Sequence, residues 1–247
     1  MLYLVATPIG NLEDLSFRAA RILKEADVLA CEDTRRTRIL LEHYSISAPR
    51  VLMSYHEHNE AKAGDTILDY LDRGMNVALV TDGGYPAISD PGYRVVSEAR
   101  RRGLRVEVIP GAGAVETSLV ASGLPTSSYT FKGFPPTKPG PRRRFFEAER
   151  DLPHTLVVFE SPLRVGKMLD DALAALGDRQ AAVCVEMTKM FEEVHGGYLS
   201  DLASKFREAK IRGEVTVVIA GNNPKFARGG APSSTTEVRE GMPPSRS

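Results

Sequence analysis

The chain has 247 residues, 42% of them hydrophobic, enough to bury one large core or two modest ones. Its 32 Lys and Arg residues balance 32 Asp and Glu, so no global field draws it to nucleic acid or anionic membrane, and any such attraction must come from a local patch. Cys31 and Cys184 lack metal or redox spacing, no apolar run reaches the length of a membrane span, and "MLYLVATPIG" lacks a signal-peptide pattern, so the expectation is a cytoplasmic protein with reduced thiols.

Over the first half, short β-type runs at 2–6, 27–31, 51–55, 77–81 and 105–109 alternate with amphipathic helical patterns. Leu15, Ala19, Ile22, Leu23 and Ala26, for example, share one face of a helix. This alternation predicts an α/β fold with a mostly parallel sheet covered on both sides. Asp90 followed by Pro91 reads as the N-cap and first turn of a helix over 91–102. Residues 131–146, crowded with Pro and Gly, read as a loop or linker. Further strands are expected at 155–159, 181–186 and 215–220, with helices near 164–176 and 199–209. The expected division is an N-terminal α/β domain over 1–112, a C-terminal α/β domain over 113–224, and a tail over 225–247 too poor in apolar residues to order itself.

Strands of a parallel sheet point one way, so the turns after them share an edge where ligands of open α/β sheets bind. Three such turns are rich in Gly and Pro: Thr7-Pro8-Ile9-Gly10-Asn11, Asp82-Gly83-Gly84-Tyr85-Pro86 and Pro110-Gly111-Ala112-Gly113. Neither phosphate-cradle pattern, G-x-G-x-x-G or G-x-x-x-x-G-K-[ST], is present. An acid at the head of the second turn repels phosphate and suits a ribose hydroxyl or a cation; a tight strand exit is the alternative use of its glycines.

"VATPIGNLEDLSFRA", "CEDTR", "SYHEHNE", "ISDPG", "FKGF", "ESPLRV", "TK-x-x-EE" and "GEVTVVIAG", in order from residue 2 to about 221, resemble the bacterial 16S ribosomal RNA cytidine 2′-O-ribose methyltransferases of the tetrapyrrole methylase superfamily. The resemblance implies two α/β domains, the first with a mostly parallel sheet and the second with a mixed one, and S-adenosyl-L-methionine in the cleft between them. It also implies a homodimer acting on 16S ribosomal RNA in the small ribosomal subunit. On the family pattern, cofactor contacts come from Pro8, Gly10, Thr81, Asp82, Gly83, Gly84, Gly113 and Ala114, and across the cleft from Phe159, Glu160, Met187 and Ala220. The chain departs from the pattern at Asp82-Gly83-Gly84-Tyr85-Pro86, where the family has Asp-Ala-Gly-Thr-Pro, and at Pro110-Gly111-Ala112-Gly113-Ala114, where it has Pro-Gly-Pro-Ser-Ala. Relatives often carry a small helical C-terminal extension, and the expectation here is the polar tail in its place.

A ribose hydroxyl is a poor nucleophile, so methyl transfer to it gains from a base. The candidates are His56, Glu32, Asp33 and Lys189, with His58 and Arg35 at the substrate edge and Thr34 as the cap of the following helix. His56 and His58 lack the helical H-E-x-x-H arrangement and a third ligand, so no metal is expected. For RNA, Lys132, Lys138, Arg142, Arg143 and Arg144, interleaved with Phe131, Phe134, Phe145 and Phe146, form the best basic and aromatic patch. Two other readings stand beside this one: a C-methyltransferase on a tetrapyrrole precursor, and a non-catalytic cofactor-binding ribosome assembly factor.

Overall fold

A computed structural model of the chain describes residues 1–209 and 211–229. The first sheet is built from β1 (Leu2–Val5), β2 (Val28–Cys31), β3 (Val51–Ser54), β4 (Val77–Val80) and β5 (Val106–Ile109). Its order is β3-β2-β4-β1-β5 with every pair parallel. The connecting helices are α1 (Phe17–Glu25), α2 (Thr34–His43), α3 (Glu60–Asp72) and α4 (Tyr93–Arg101). Side chains of a strand alternate between faces. Leu2, Leu4, Val28, Ala30, Val77 and Leu79 therefore pack with α3 and α4, while Val5, Leu29, Cys31, Ala78 and Val80 pack with α1 and α2. Burial on both faces is why these strands read as unbroken apolar runs.

The second half supplies α5 (Ala114–Ala121), β6 (Tyr129–Phe131), α6 (Pro139–Glu147), β7 (Thr155–Glu160), α7 (Val165–Leu176), β8 (Gln180–Val185), β9 (Glu193–Tyr198), α8 (Leu199–Arg207) and β10 (Val215–Ile219). They form a sheet ordered β6-β7-β10-β8-β9, mixed because only β6 and β7 run parallel. One face packs under α6, α7 and α8; the other meets α5 through Val157, Val218, Val115 and Leu119. Ile9, from the turn after β1, packs against Ala182 and Cys184 of β8 and joins the two sheets.

Four expectations change. Residues 131–146 are not a linker: 129–131 pair with β7, and 139–147 form a helix. Pro139 sits in the first turn of that helix, where its missing N–H is not needed, and Phe146 and Arg142 are the buried i, i+4 pair, so a charged residue hides the apolar period. Asp33, not Thr34, caps α2; its carboxylate accepts the Arg35 N–H at 2.8 Å. Asp90 caps nothing, because α4 starts at Tyr93 behind Gly92 (φ 144°) with no side-chain cap, and the Gly92 N–H goes to Glu60 Oε1 at 3.2 Å. The start of the expected tail is tied down: Asn223 caps a 3₁₀ turn at Pro224–Phe226, Phe226 packs against the α5 face of the second sheet, Arg179 and Ala227 form a β-bridge, and Arg228 pairs with Asp178 at 2.7 Å. The rest of it, 230–247, lies outside the described residues.

The α6–α7 contact holds an ion pair with both side chains under a tenth exposed: Arg142 reaches Asp171 Oδ2 at 2.6 and 2.8 Å. Arg143 adds a contact to Oδ1 at 2.7 Å. Removing one partner strands a buried charge. Asp171→Ala is expected to lower unfolding free energy by about 3–5 kcal/mol, measured by urea denaturation.

Candidate functional site

The sheet order puts β1 between β4 and β5, so the three glycine-rich exits lie side by side. Thr7 and Gly84 exchange main-chain hydrogen bonds of 3.0 and 2.9 Å, and the Thr7 hydroxyl donates to Thr81 O at 3.0 Å. Gly84 takes a left-handed φ of 85° there, a conformation that costs an L-residue strain. The third exit is tied to the second by Tyr85, whose hydroxyl accepts the Gly111 N–H at 3.2 Å. The larger ring at position 85 is thus a brace between turns. Gly10 meets the β8–β9 turn so closely that a Cβ would lie 2.3 Å from Lys189 Cγ and 3.0 Å from Met187 O. The Asn11 N–H donates to Thr188 Oγ1 at 3.1 Å across the same contact.

These exits and the second sheet enclose a cleft of about 960 Å³, near the upper end of the range for small-molecule sites. Its first wall is acidic. The Thr81 hydroxyl donates to Glu32 Oε2 at 2.9 Å, the Asp33 N–H donates to Asp82 Oδ1 at 3.1 Å, and Arg36 stands 3.2 Å from Asp82 Oδ2. Burial, and then the Glu32 charge, raise the Asp82 carboxyl above its ordinary range. Burial pushes Asp90 up to about 6, hydrogen bonding with Thr81 opposes the rise, and Glu32, Asp82 and Glu214 add to it. On the opposite wall, Glu160 Oε1 accepts the Ser161 N–H and Arg164 Nε, both at 2.7 Å. Its Oε2 is buried without a partner among the described residues, an acceptor left for a ligand donor. Phe131, Phe134 and Phe159 form an aromatic wall, with centroids 4.8 and 5.5 Å apart.

Pro8, Gly10, Thr81, Asp82, Gly83, Gly84, Gly113, Ala114, Phe159 and Glu160 all line this cleft, as do Glu32 and Lys189. Met187 and Ala220 do not line it; they are buried behind it, Met187 with Ile9 and Ala114, Ala220 with Phe159. Asp33 is occupied as the helix cap and by Arg35, at 2.7 Å. His56 and His58 stack edge-on after β3, outside the lining. Lys138, Arg143 and Arg144 are exposed on or next to α6, away from the lining, and Arg142 is enclosed in its ion pair, so the basic patch is only partly free. Sequence reading missed Asp90, Arg36 and Glu214 in the lining. For Asp90 the signal, an acid before proline eight residues past the strand-exit acid, was present and was assigned to capping.

A sequence model of the Tetrapyrrole (Corrin/Porphyrin) Methylases matches residues 1–203. The "Ribosomal RNA small subunit methyltransferase I" of Halalkalibacterium halodurans is 50% identical over 224 residues, covering 91% of this chain and 77% of the relative. The protein of the same name from Mesorhizobium japonicum is 47% identical over 220 residues, covering 88% and 74%. Among solved structures, a uroporphyrin-III C-methyl transferase from Thermus thermophilus, complexed with S-adenyl homocysteine, superposes with a TM-score of 0.59 at 24% identity, covering 89% of this chain and 96% of that one.

The raised Asp90 carboxyl makes a stability statement with a definite sign. A folded-state value near 6 against 3.8 means that stability is full below pH 4 and falls as pH rises through 6, because folding then forces a charge into a poorly solvated place. Asn at this position carries no such charge. The advantage of Asp90→Asn over the wild type in urea unfolding is therefore expected to grow by about 1–3 kcal/mol between pH 4 and pH 7.

Proposed function

The chain belongs to the tetrapyrrole methylase family, and from that premise we propose that it transfers the methyl group of S-adenosyl-L-methionine to the ribose 2′-hydroxyl of a cytidine in 16S ribosomal RNA of the small ribosomal subunit. The observation that carries the reading is the acidic wall beside bare main chain: Glu32 and Asp82 next to Gly83 and Gly84. Carboxylates in that position disfavour a phosphate ligand and favour one bearing a cation. Close relatives named as ribosomal RNA methyltransferases support RNA as the acceptor, whereas the tetrapyrrole enzyme superposes at only 24% identity. The C-methyltransferase reading is therefore not favoured.

When bound, S-adenosyl-L-methionine supplies an electrophilic methyl group on a positively charged sulfur. Gly10, Gly83, Gly84 and Gly113 leave main chain open to it, Asp82 and Glu32 complement its charge, and Glu160 Oε2 offers a buried acceptor. Phe131, Phe134 and Phe159 provide apolar faces that shield the reacting atoms from water. Alignment of the acceptor oxygen behind the methyl carbon is the main requirement, and a rigid cleft with three cross-tied turns meets it. Arg35 and Arg36, with side chains 85% and 65% exposed at the start of α2, pair with Asp33 and Asp82 at the acidic wall and suit RNA phosphates. Lys138 and Arg144 extend the cationic surface. The same reading takes the working unit as a cytoplasmic homodimer of two-domain subunits divided near residue 112.

Methyl incorporation from labelled cofactor into unmodified small subunits is the direct test, with the product nucleotide expected to resist alkaline cleavage on its 3′ side. Labelling of a free tetrapyrrole precursor instead, or of nothing, would overturn the proposal. Asp82→Asn is expected to weaken S-adenosyl-L-methionine by about tenfold and neutral S-adenosylhomocysteine by much less, read by calorimetry, because only the former carries the sulfonium charge.

A further inference from the structure

Asp90 has no structural task that would explain its place. It caps no helix, and the Thr81 hydroxyl that neighbours it donates its proton to Glu32. The chain nevertheless adopts an unfavourable path around it. Ala87 (φ 69°) and Ser89 (φ 60°) are both left-handed, and Gly92 (φ 144°) packs so tightly that a Cβ would lie 3.0 Å from Ala87 Cβ. The Ala87 N–H closes the turn by donating to Pro91 O at 3.3 Å. Non-glycine residues in left-handed conformations persist only where surrounding structure imposes them, and they gather at functional sites. Here the doubled-back loop delivers Ser89 and Asp90 to the cleft.

The residues that the sequence offered as proton acceptor are each engaged on at least one polar atom or displaced from the cleft. Glu32 Oε2 accepts from Thr81 and from the Asp82 N–H at 3.4 Å. Asp82 accepts from the Asp33 N–H and faces Arg36. Asp33 holds Arg35 and the start of α2. Lys189 is a cation bound by Glu186 at 2.7 Å and Glu214 at 3.2 Å, so it has no lone pair to offer. His56 is outside the lining.

We propose that Asp90 is the catalytic proton acceptor of the transfer, a role that rests on the ribose methylation reading above. As the 2′-oxygen forms its bond to the methyl carbon, the carbon–sulfur pair returns to sulfur to leave a neutral thioether, and the 2′ proton passes to the Asp90 carboxylate and then to water. Burial first, and then Glu32 and Asp82 from the first sheet and Glu214 from the second, raise the proton affinity of this carboxyl. Arg36 and Lys189 are engaged by Asp82 and by Glu186 and Glu214 and leave that effect largely in place. A bound sulfonium lowers the affinity again, so the group is ionised at neutral pH before transfer and sheds its proton afterwards.

The test compares wild type, Asp90→Asn and Asp90→Glu on unmodified small subunits. Asp90→Asn is expected to lose about 10²–10⁴-fold in kcat while binding S-adenosyl-L-methionine within about tenfold of wild type by calorimetry. Asp90→Glu should recover part of the loss. Wild-type kcat/KM for the cofactor should fall on the acid side with an apparent pKa near 6, and that limb should be missing from the residual activity of Asp90→Asn. Without cofactor, carboxyl-carbon NMR should show a group titrating near pH 6 in the wild type and absent from Asp90→Asn. An Asp90→Asn enzyme within tenfold of wild-type kcat, or one that keeps the acid limb, overturns the acceptor role and leaves the methylation reading standing. A wild type that methylates no small subunit overturns both.

Discussion

Everything in the cleft depends on β1 lying between β4 and β5 with its exit bonded to theirs. Thr7 and Gly84 continue as an antiparallel bridge beyond the parallel strands, and Tyr85 fastens the next exit through Gly111. Two turns that carry almost no side chain would otherwise be the loosest parts of the sheet edge. Cross-tying them turns exposed main chain into a fixed surface, which a site that acts chiefly by positioning requires. The glycines serve approach as much as turning: at Gly10 the obstacle to a side chain is the β8–β9 turn of the second sheet.

The electrostatics follow from that geometry. Bringing the ends of β2 and β4 together sets Glu32 and Asp82 side by side, and the return of the 85–92 loop adds Asp90. Charges so placed repel one another, and Asp82 and Asp90 resist ionisation. The fold offsets part of the cost with the Thr81 hydroxyl, the Asp33 N–H and Arg36, and leaves Asp90 least compensated. A cleft that holds carboxylates at some expense to stability is well matched to a cationic ligand, which relieves the repulsion on binding. On this account Asp90 costs the apo protein stability and serves the reaction.

The basic surface shows how local composition misleads. The run at 142–144 looks like one cationic patch, but helical geometry turns Arg142 inward to Asp171, engages Arg143 on the same carboxylate, and leaves Arg144 outside. The arginine beside the acidic wall belongs instead to α2, where Asp33 caps the helix and pairs with Arg35, and Arg36 faces Asp82 in the cleft lining.

Periodicity alone determined the α/β alternation, the doubly covered parallel strands and the strand exits that line the cleft, because these are set by residues near one another in sequence. The motif resemblance added the mixed second sheet, the family and most of the lining. Tertiary structure decided what distant partners decide. Arg142 on the helix at 139–147 was buried by an ion-pair partner 29 residues away, Tyr85 became a brace through a glycine 26 residues on, and the expected cap Asp90 a member of the acidic wall. No window of sequence contains those partners, so neither the burial of Arg142 nor the proton affinity of Asp90 could be read before the strands were placed side by side.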